Sequence, residues 1–84
     1  MYQIVFSKKA NKSLQKIPTV YLIRIKRKLA LISKEPYSGK KLEGDLADKY
    51  SVRAWPYRII YSIRKDKLIV EVLKIEHRQG VYKH

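Results

Sequence analysis

The chain predicts an α+β fold: an N-terminal strand, a helical hairpin, then a three-stranded antiparallel meander. The helices pack on one face of a four-stranded antiparallel sheet. Three observations carry this expectation. Between Ala10 and Ile32 two apolar stripes recur at helical spacing, separated by Pro18. From Tyr57 onward apolar residues alternate with others at period two, the pattern of a half-buried strand. The 84 residues suit a single domain with one modest core, and 45% hydrophobic content is enough to fold it.

The elements follow in order. Tyr2 to Phe6 is a short apolar strand. Ser7 stands where a hydroxyl caps a helix by accepting from an early backbone N–H. Ala10, Leu14 and Ile17 then fall on one helical face. Pro18 breaks this helix and Thr19 restarts the chain. Leu22, Ile25, Leu29 and Ile32 make the second stripe, and the pair forms a hairpin of helices with one apolar side. Glu35-Pro36 ends it, since the residue before proline disfavours the α region. Tyr37 to Asp48 is a polar connection with Gly39 and Gly44.

Tyr57, Ile59, Tyr61 and Ile63 form the core face of one strand, and Leu68, Val70 and Val72 that of the next. A two-residue turn at Lys65-Asp66 would set Ile63 opposite Leu68, Tyr61 opposite Val70 and Ile59 opposite Val72. Arg58 would then lie beside Leu73 and Ile60 beside Glu71 on the other face, with Ile75 and His77 continuing along it. Tyr50–Ala54 reverses at Trp55-Pro56. Val52 therefore sits opposite Ile59, and Arg53 opposite Arg58. Like charges directly opposed on neighbouring strands are destabilising. Two guanidiniums held together suit a phosphate; a longer turn would slip the register and part them.

The charge narrows the function. Twenty Lys+Arg against seven Asp+Glu give a net charge of +13. A polyanion or an acidic protein is the natural partner of such a surface, and nucleic acid the default. The basic residues follow the folded elements: Lys8, Lys9, Lys12 and Lys16, then Arg24, Lys26, Arg27 and Lys28, then Lys40 and Lys41. Any single lysine can also be part of a solvated face. The chain has no cysteine, which excludes disulfide and thiolate chemistry and is compatible with a reducing cytoplasm. No apolar run is long enough for a signal peptide or a membrane span. Two histidines and scattered carboxylates lack the spacing of metal ligands, and no cofactor is implied.

The run Lys41-Leu42-x-Gly44, Tyr50-x-x-Arg53, Tyr57-Arg58-Ile59-Ile60-Tyr61 and His77-Arg78-x-x-Val81-Tyr82, on this order of elements, resembles the RelE/ParE superfamily of bacterial type II toxins. The resemblance covers nearly the whole chain and implies a toxin neutralised by a cognate antitoxin. In the RelE branch the toxin enters the ribosomal A site and cuts messenger RNA. In the ParE branch it poisons DNA gyrase and cuts no RNA. The RelE reaction is attack of a ribose 2′-OH on the adjacent phosphate, leaving a 2′,3′-cyclic phosphate and a 5′-hydroxyl. It needs a proton acceptor, cations for the phosphorane and a proton donor, and no metal.

By this resemblance Arg53, Arg58 and Arg78 match positions that bind phosphate or act in catalysis. Tyr82 matches a tyrosine that stacks on the target base or assists proton transfer. Two residues before Arg53 the RelE enzymes have a lysine, where this chain has Ser51. His77 is the substitute the sequence offers, since an unperturbed imidazole titrates near neutrality. Lys26, Arg27, Lys28, Lys40 and Lys41 are candidates for ribosomal RNA. Plainer roles stand beside these: His77 as a strand-end histidine bonded to backbone, Tyr82 as an apolar plug with a polar tip, Lys40 and Lys41 as a solvated loop. Trp55 fits either a stacking or a groove-filling role, and Tyr50, Tyr57 and Tyr61 are assigned to the core. The expected protein is a cytoplasmic, ribosome-dependent messenger-RNA endonuclease, monomeric when free. The alternatives are a gyrase poison without catalysis and a small RNA-binding protein without toxicity.

Overall fold

The computed structural model describes residues 1–44 and 48–78. Strand β1 (Gln3–Phe6) leads into α1 (Lys8–Lys16) and α2 (Thr19–Lys34). A single 3-10 turn (Pro36–Ser38) then precedes β2 (Lys40–Lys41), β3 (Lys49–Ala54), β4 (Tyr57–Arg64) and β5 (Ile69–His77). Both predicted helices form, and Pro18 and Glu35 cap α2 at its two ends. None of the described helices is long and apolar enough to cross a membrane.

The sheet corrects the expectation in two respects. It has five strands in the order β1-β5-β4-β3-β2, and β1 runs parallel to β5. Only a tight hairpin forces neighbours antiparallel. No hairpin joins β1 to β5, so periodicity alone left β1's direction open. The extra strand, β2, lies within the stretch read as a polar connection. Two residues are too few to show a period.

The β3–β4 hairpin matches its predicted register, with Val52 opposite Ile59 and Arg53 opposite Arg58 across a cis Trp55–Pro56 peptide. The β4–β5 hairpin does not. Its turn spans Lys65 to Leu68, so Ile63 faces Val70 and Tyr61 faces Val72. A shift of two residues preserves the faces. A bulge then intervenes: Tyr61 pairs with Val72 but Ile60 with Lys74, leaving Leu73 unmatched. The extra residue inverts the faces of everything after it. Ile75 therefore turns into the core, 6% exposed, and His77 lies opposite Tyr57 on the helix side. Both had been expected on the open face.

Ser7 holds this bulge. Its hydroxyl oxygen accepts from the Ala10 N–H (3.0 Å), capping α1, and its O–H donates to the Leu73 carbonyl (2.7 Å). Its own N–H donates to the Val72 carbonyl (2.9 Å). Helix start and bulge are thus one construction. The core between helices and sheet is built from Ala10, Ile17, Ile25, Ile32, Ile59, Tyr61, Val70, Val72 and Ile75, with Tyr50 and Tyr57 packed at its margin. Tyr61 is fully buried, and its hydroxyl donates to the Pro36 carbonyl at 2.7 Å. Burial pushes its pKa up to about 12, against an opposing backbone hydrogen bond from Gly39. A Cβ at Gly39 would collide with the Tyr61 hydroxyl and lie 2.8 Å from the Ser51 carbonyl oxygen. Glycine there lets β2 close tightly on β3.

Candidate functional site: the open face of the sheet

The face away from the helices is set by parity. Across β2, β3, β4 and β5, Lys40, Ser51, Ile60 and Lys74 form one row, and Arg53, Arg58 and Glu76 form the next. Arg53 and Arg58 therefore stand side by side, as the sequence predicts. Glu76, which sequence reasoning passed over, stands on the far side of Arg58. Its carboxylate accepts from the Arg58 guanidinium at 3.2 Å and lies 3.4 Å from the Lys74 ammonium. The pair offsets part of the repulsion between the arginines. With side chains 41% and 28% exposed, it contributes modestly to stability. The Arg58 Nε is shut off from solvent and has no hydrogen-bond partner among the described residues.

Arg53 is exposed, and no carboxylate among the described residues lies within salt-bridge distance of it. It borders two depressions. One, of about 360 Å³, lies over β2, β3 and β4 and is lined by Gly39, Lys40, Ser51, Arg53 and Arg58 among others. The other, of about 510 Å³, runs between α2 and the β3–β4 turn and is lined by Arg24, Arg27, Lys28, Leu31, Arg53 and Trp55. Of the helix residues proposed for RNA, Arg27 and Lys28 therefore share a surface with Arg53. Lys26 does not line it: at 3.6 residues per turn it sits roughly 160° around the helix from Lys28. Lys40 and Lys41 likewise part company, because successive strand residues point to opposite faces. Lys40 enters the depression, and Lys41 pairs with Tyr50 instead.

His77 and Arg78 leave β5 in different company. The His77 ring meets the edge of Tyr57 (5.0 Å between centroids), and Tyr57 meets Tyr21 of α2 (5.8 Å). Arg78 donates its backbone N–H to the Pro56 carbonyl (2.8 Å) and lays its guanidinium over the Trp55 ring at 4.8 Å. Arg24 donates to the Trp55 carbonyl at 3.0 Å. Trp55, itself 55% exposed, is thus held between two arginines at the rim of the second depression. One face of its ring is covered by the Arg78 guanidinium, and the side chain is otherwise largely open. Tyr82 and His84 lie outside the described residues. Among the described residues no three His, Cys, Asp or Glu side chains group as metal ligands.

One signal in the sequence does mark the missed inversion. Within β5, after the leading Ile69, apolar residues stand at the even positions Val70 and Val72 and then, past the adjacent Leu73, at the odd position Ile75. A doubled apolar pair followed by opposite parity is how a bulge reads in sequence.

Known proteins share this fold. The family model of the ParE toxin of the type II toxin-antitoxin system, parDE, matches residues 4–82. Toxin RelG of Mycobacterium tuberculosis is 31% identical over 84 residues, spanning 98% of this chain and 97% of that protein. The crystal structure of the toxin-antitoxin complex RelBE2 from Mycobacterium tuberculosis holds a chain 32% identical, with a TM-score of 0.83 over 92% of this chain and 98% of that one. A chain of the intact E. coli RelBE complex, 23% identical, shares the fold at a TM-score of 0.80 over 92% and 96% of the two chains. Fold and match together define a class, the small toxin of a type II toxin-antitoxin system. Within that class the chain belongs to the RelE/ParE superfamily.

Proposed function

We propose that this toxin is a RelE-type, ribosome-dependent messenger-RNA endonuclease acting in the cytoplasm and held inactive by a cognate antitoxin. The observation that carries the reading is the opposed pair Arg53 and Arg58 at an open depression. A fold built only for stability gains nothing from two cations directly opposed. A pentavalent phosphorane, with two negative charges to spread over its oxygens, gains from both. Arg53 and Arg58 would contact the scissile phosphate. Arg78 and Trp55 would border the path of the message, and Tyr82 would act at the target base. The basic flank of α2, with Arg27 and Lys28, would lie against ribosomal RNA. His77 faces Tyr57 on the helix side, so the geometry supports it less well than the arginines as a group acting at the phosphate.

The same positive surface fits an acidic or amphipathic antitoxin segment that orders as it wraps the domain. The relatives in complex with antitoxin support that partner. A second reading has its own support. The matching family model describes a ParE toxin, and Ser51 stands where RelE enzymes carry lysine. On that reading the chain binds DNA gyrase without cutting RNA.

Mapping of messenger-RNA 5′ ends on translating ribosomes after induction separates the two. Codon-phased cuts support the endonuclease, and DNA damage with intact messages supports the gyrase poison. Arg58→Ala and Arg78→Ala are each expected to abolish growth arrest with the fold intact. If both variants remain fully toxic, the site is wrong.

A further inference from the structure

Lys40 occupies a position that the endonuclease reading leaves without a role in the chemistry. It is directly opposite Ser51 in the β2–β3 pairing, so its side chain rises on the same face as Arg53 and Arg58. It lines the same depression of about 360 Å³ as those two arginines. Ser51, which lines the same depression, is uncharged and buried, 7% exposed, so the cations there come from its neighbours. The backbone beneath Lys40 is fixed, because Gly39 lies against the Tyr61 hydroxyl and the Ser51 carbonyl more closely than any Cβ permits. Its charge is also uncommitted. Arg58 shares its charge with Glu76, whereas no carboxylate among the described residues lies within salt-bridge distance of Lys40. Lys74, in the same row, is engaged by Glu76.

We infer that Lys40 is a catalytic residue of this toxin: its ammonium contacts a non-bridging oxygen of the scissile phosphate and supplies from β2 the cation that residue 51 of β3 does not. The inference rests on the endonuclease reading. In the reaction the 2′ oxygen bonds to phosphorus as the bond from phosphorus to the 5′ oxygen breaks. One proton leaves the 2′-OH and one arrives at the 5′ oxygen. Lys40 remains an ammonium throughout and acts by charge alone. Its effect therefore appears as the phosphorane forms, and falls on the rate of the bound complex.

Two measurements test this. The first is cleavage of a messenger on translating ribosomes by wild type, Lys40→Ala, Lys40→Arg, Lys40→Ala with Ser51→Lys, and Lys65→Ala as a distant control. Lys40→Ala is expected to lower the rate at saturating ribosomes about 100-fold, as removal of one stabilising donor does. Lys40→Arg is expected to stay within about fivefold of wild type, since the cation is kept. Ser51→Lys, which returns the cation from the opposite strand, is expected to recover at least about tenfold of the loss. Lys40→Ala and Lys40→Arg decide the matter if the buried Ser51 position rejects a lysine.

The second measurement is binding of an RNA trinucleotide whose central 2′-OH is methylated, followed against salt. Lys40→Ala is expected to lower the salt slope by about 0.7. If wild type does not cut messages but its trinucleotide binding depends on Lys40, the endonuclease reading fails and the phosphate contact stands. If wild type cuts and Lys40→Ala cuts and binds like it, the inference is overturned while the reading survives. A change in KM alone, with the saturated rate intact, also overturns it, since that is the mark of ribosome docking.

Discussion

The two hairpins of the meander share β4 and yet are set by different rules. Between β3 and β4 two residues turn the chain and the ladder runs unbroken from Ala54 and Tyr57 to Lys49 and Ser62. Between β4 and β5 four residues turn the chain, Leu68 adopts a φ of 54°, and a bulge interrupts the ladder at Leu73. Period two assigns faces only while every residue has one partner. A longer turn of even length leaves the faces alone, whereas one unmatched residue inverts them. The first hairpin accordingly delivers Arg53 and Arg58 to the open face together. The second sends His77 to the helices and brings Glu76 beside Arg58 instead.

The largest expected effect tests that division directly. Arg53→Ala and Arg58→Ala are each expected to lower messenger-RNA cleavage by about 100-fold or more, the loss typical of a donor aimed at developing charge. His77→Ala is expected to cost about tenfold at most. An equal loss in all three would mean that the bulge does not remove His77 from the chemistry. Single-turnover cleavage on ribosomes, with circular dichroism to confirm folding, gives the ranking.

Next comes the device that holds the bulge. Ser7→Ala removes the cap of α1 and the donor to the Leu73 carbonyl in one step. A lost cap costs about 1 kcal/mol and an unmet partly buried carbonyl about as much again. The expected loss is therefore about 2 kcal/mol, read from the urea midpoint at unchanged m-value. Ser7→Thr keeps the hydroxyl and is expected to restore most of it. A loss below about 0.5 kcal/mol would show that the bulge stands without Ser7.

How much was legible follows the same division. Both helices were legible because 3.6-residue stripes bounded by Ser7, Pro18 and Glu35-Pro36 say where each begins and ends. The Arg53–Arg58 pairing was legible because a two-residue turn fixes register. Strand β2 was not, since Lys40 and Lys41 are too short a run to alternate, and Lys40's entry into the site went unseen with it. The direction of β1 was not legible because its partner lies at the far end of the chain. The ion pair of Arg58 with Glu76 depended on a parity that Leu73 had already changed. In each case a contact between residues distant in sequence overrode a local pattern that was correct as far as it reached.

Tyr61 stands where the two hairpins meet, paired with Tyr50 on one side and with Val72 at the bulge on the other. Tyr61→Phe is expected to cost about 1 kcal/mol near neutral pH, for the lost bond to the Pro36 carbonyl. The pH dependence has a definite sign. Burial raises the folded pKa from 10.0 to about 12, so the folded state favours the protonated phenol. That stabilisation is complete below pH 10 and is lost as the pH rises through 12, an amount of about 3 kcal/mol for a shift of two pKa units. The phenylalanine variant has no such group to titrate. The gap between the two proteins should therefore narrow above pH 10 and reverse before pH 12. A constant gap across that range would place the Tyr61 hydroxyl in contact with water.

The smallest effect lies in the turn that lengthens the second hairpin. Leu68 holds a left-handed backbone conformation, with φ 54°, and its side chain is 53% exposed. For a residue with a Cβ that conformation costs roughly 1–2 kcal/mol, and for glycine nothing. Leu68→Gly should regain this cost, less the greater chain entropy that glycine loses on folding and the little apolar contact given up. The expected net gain is about 0.5 kcal/mol, read as a rise in the urea midpoint. Leu68→Pro, which forbids positive φ, should be destabilising by several times as much. If the glycine variant is instead less stable by about 1 kcal/mol, the exposed leucine contributes packing that outweighs its backbone strain. The same turn in the first hairpin position has no such reserve, because no residue of the β3–β4 turn has a positive φ. Relief of a left-handed backbone can thus add stability at the turn of the irregular hairpin and has no counterpart at the regular one, although the regular one carries the arginines.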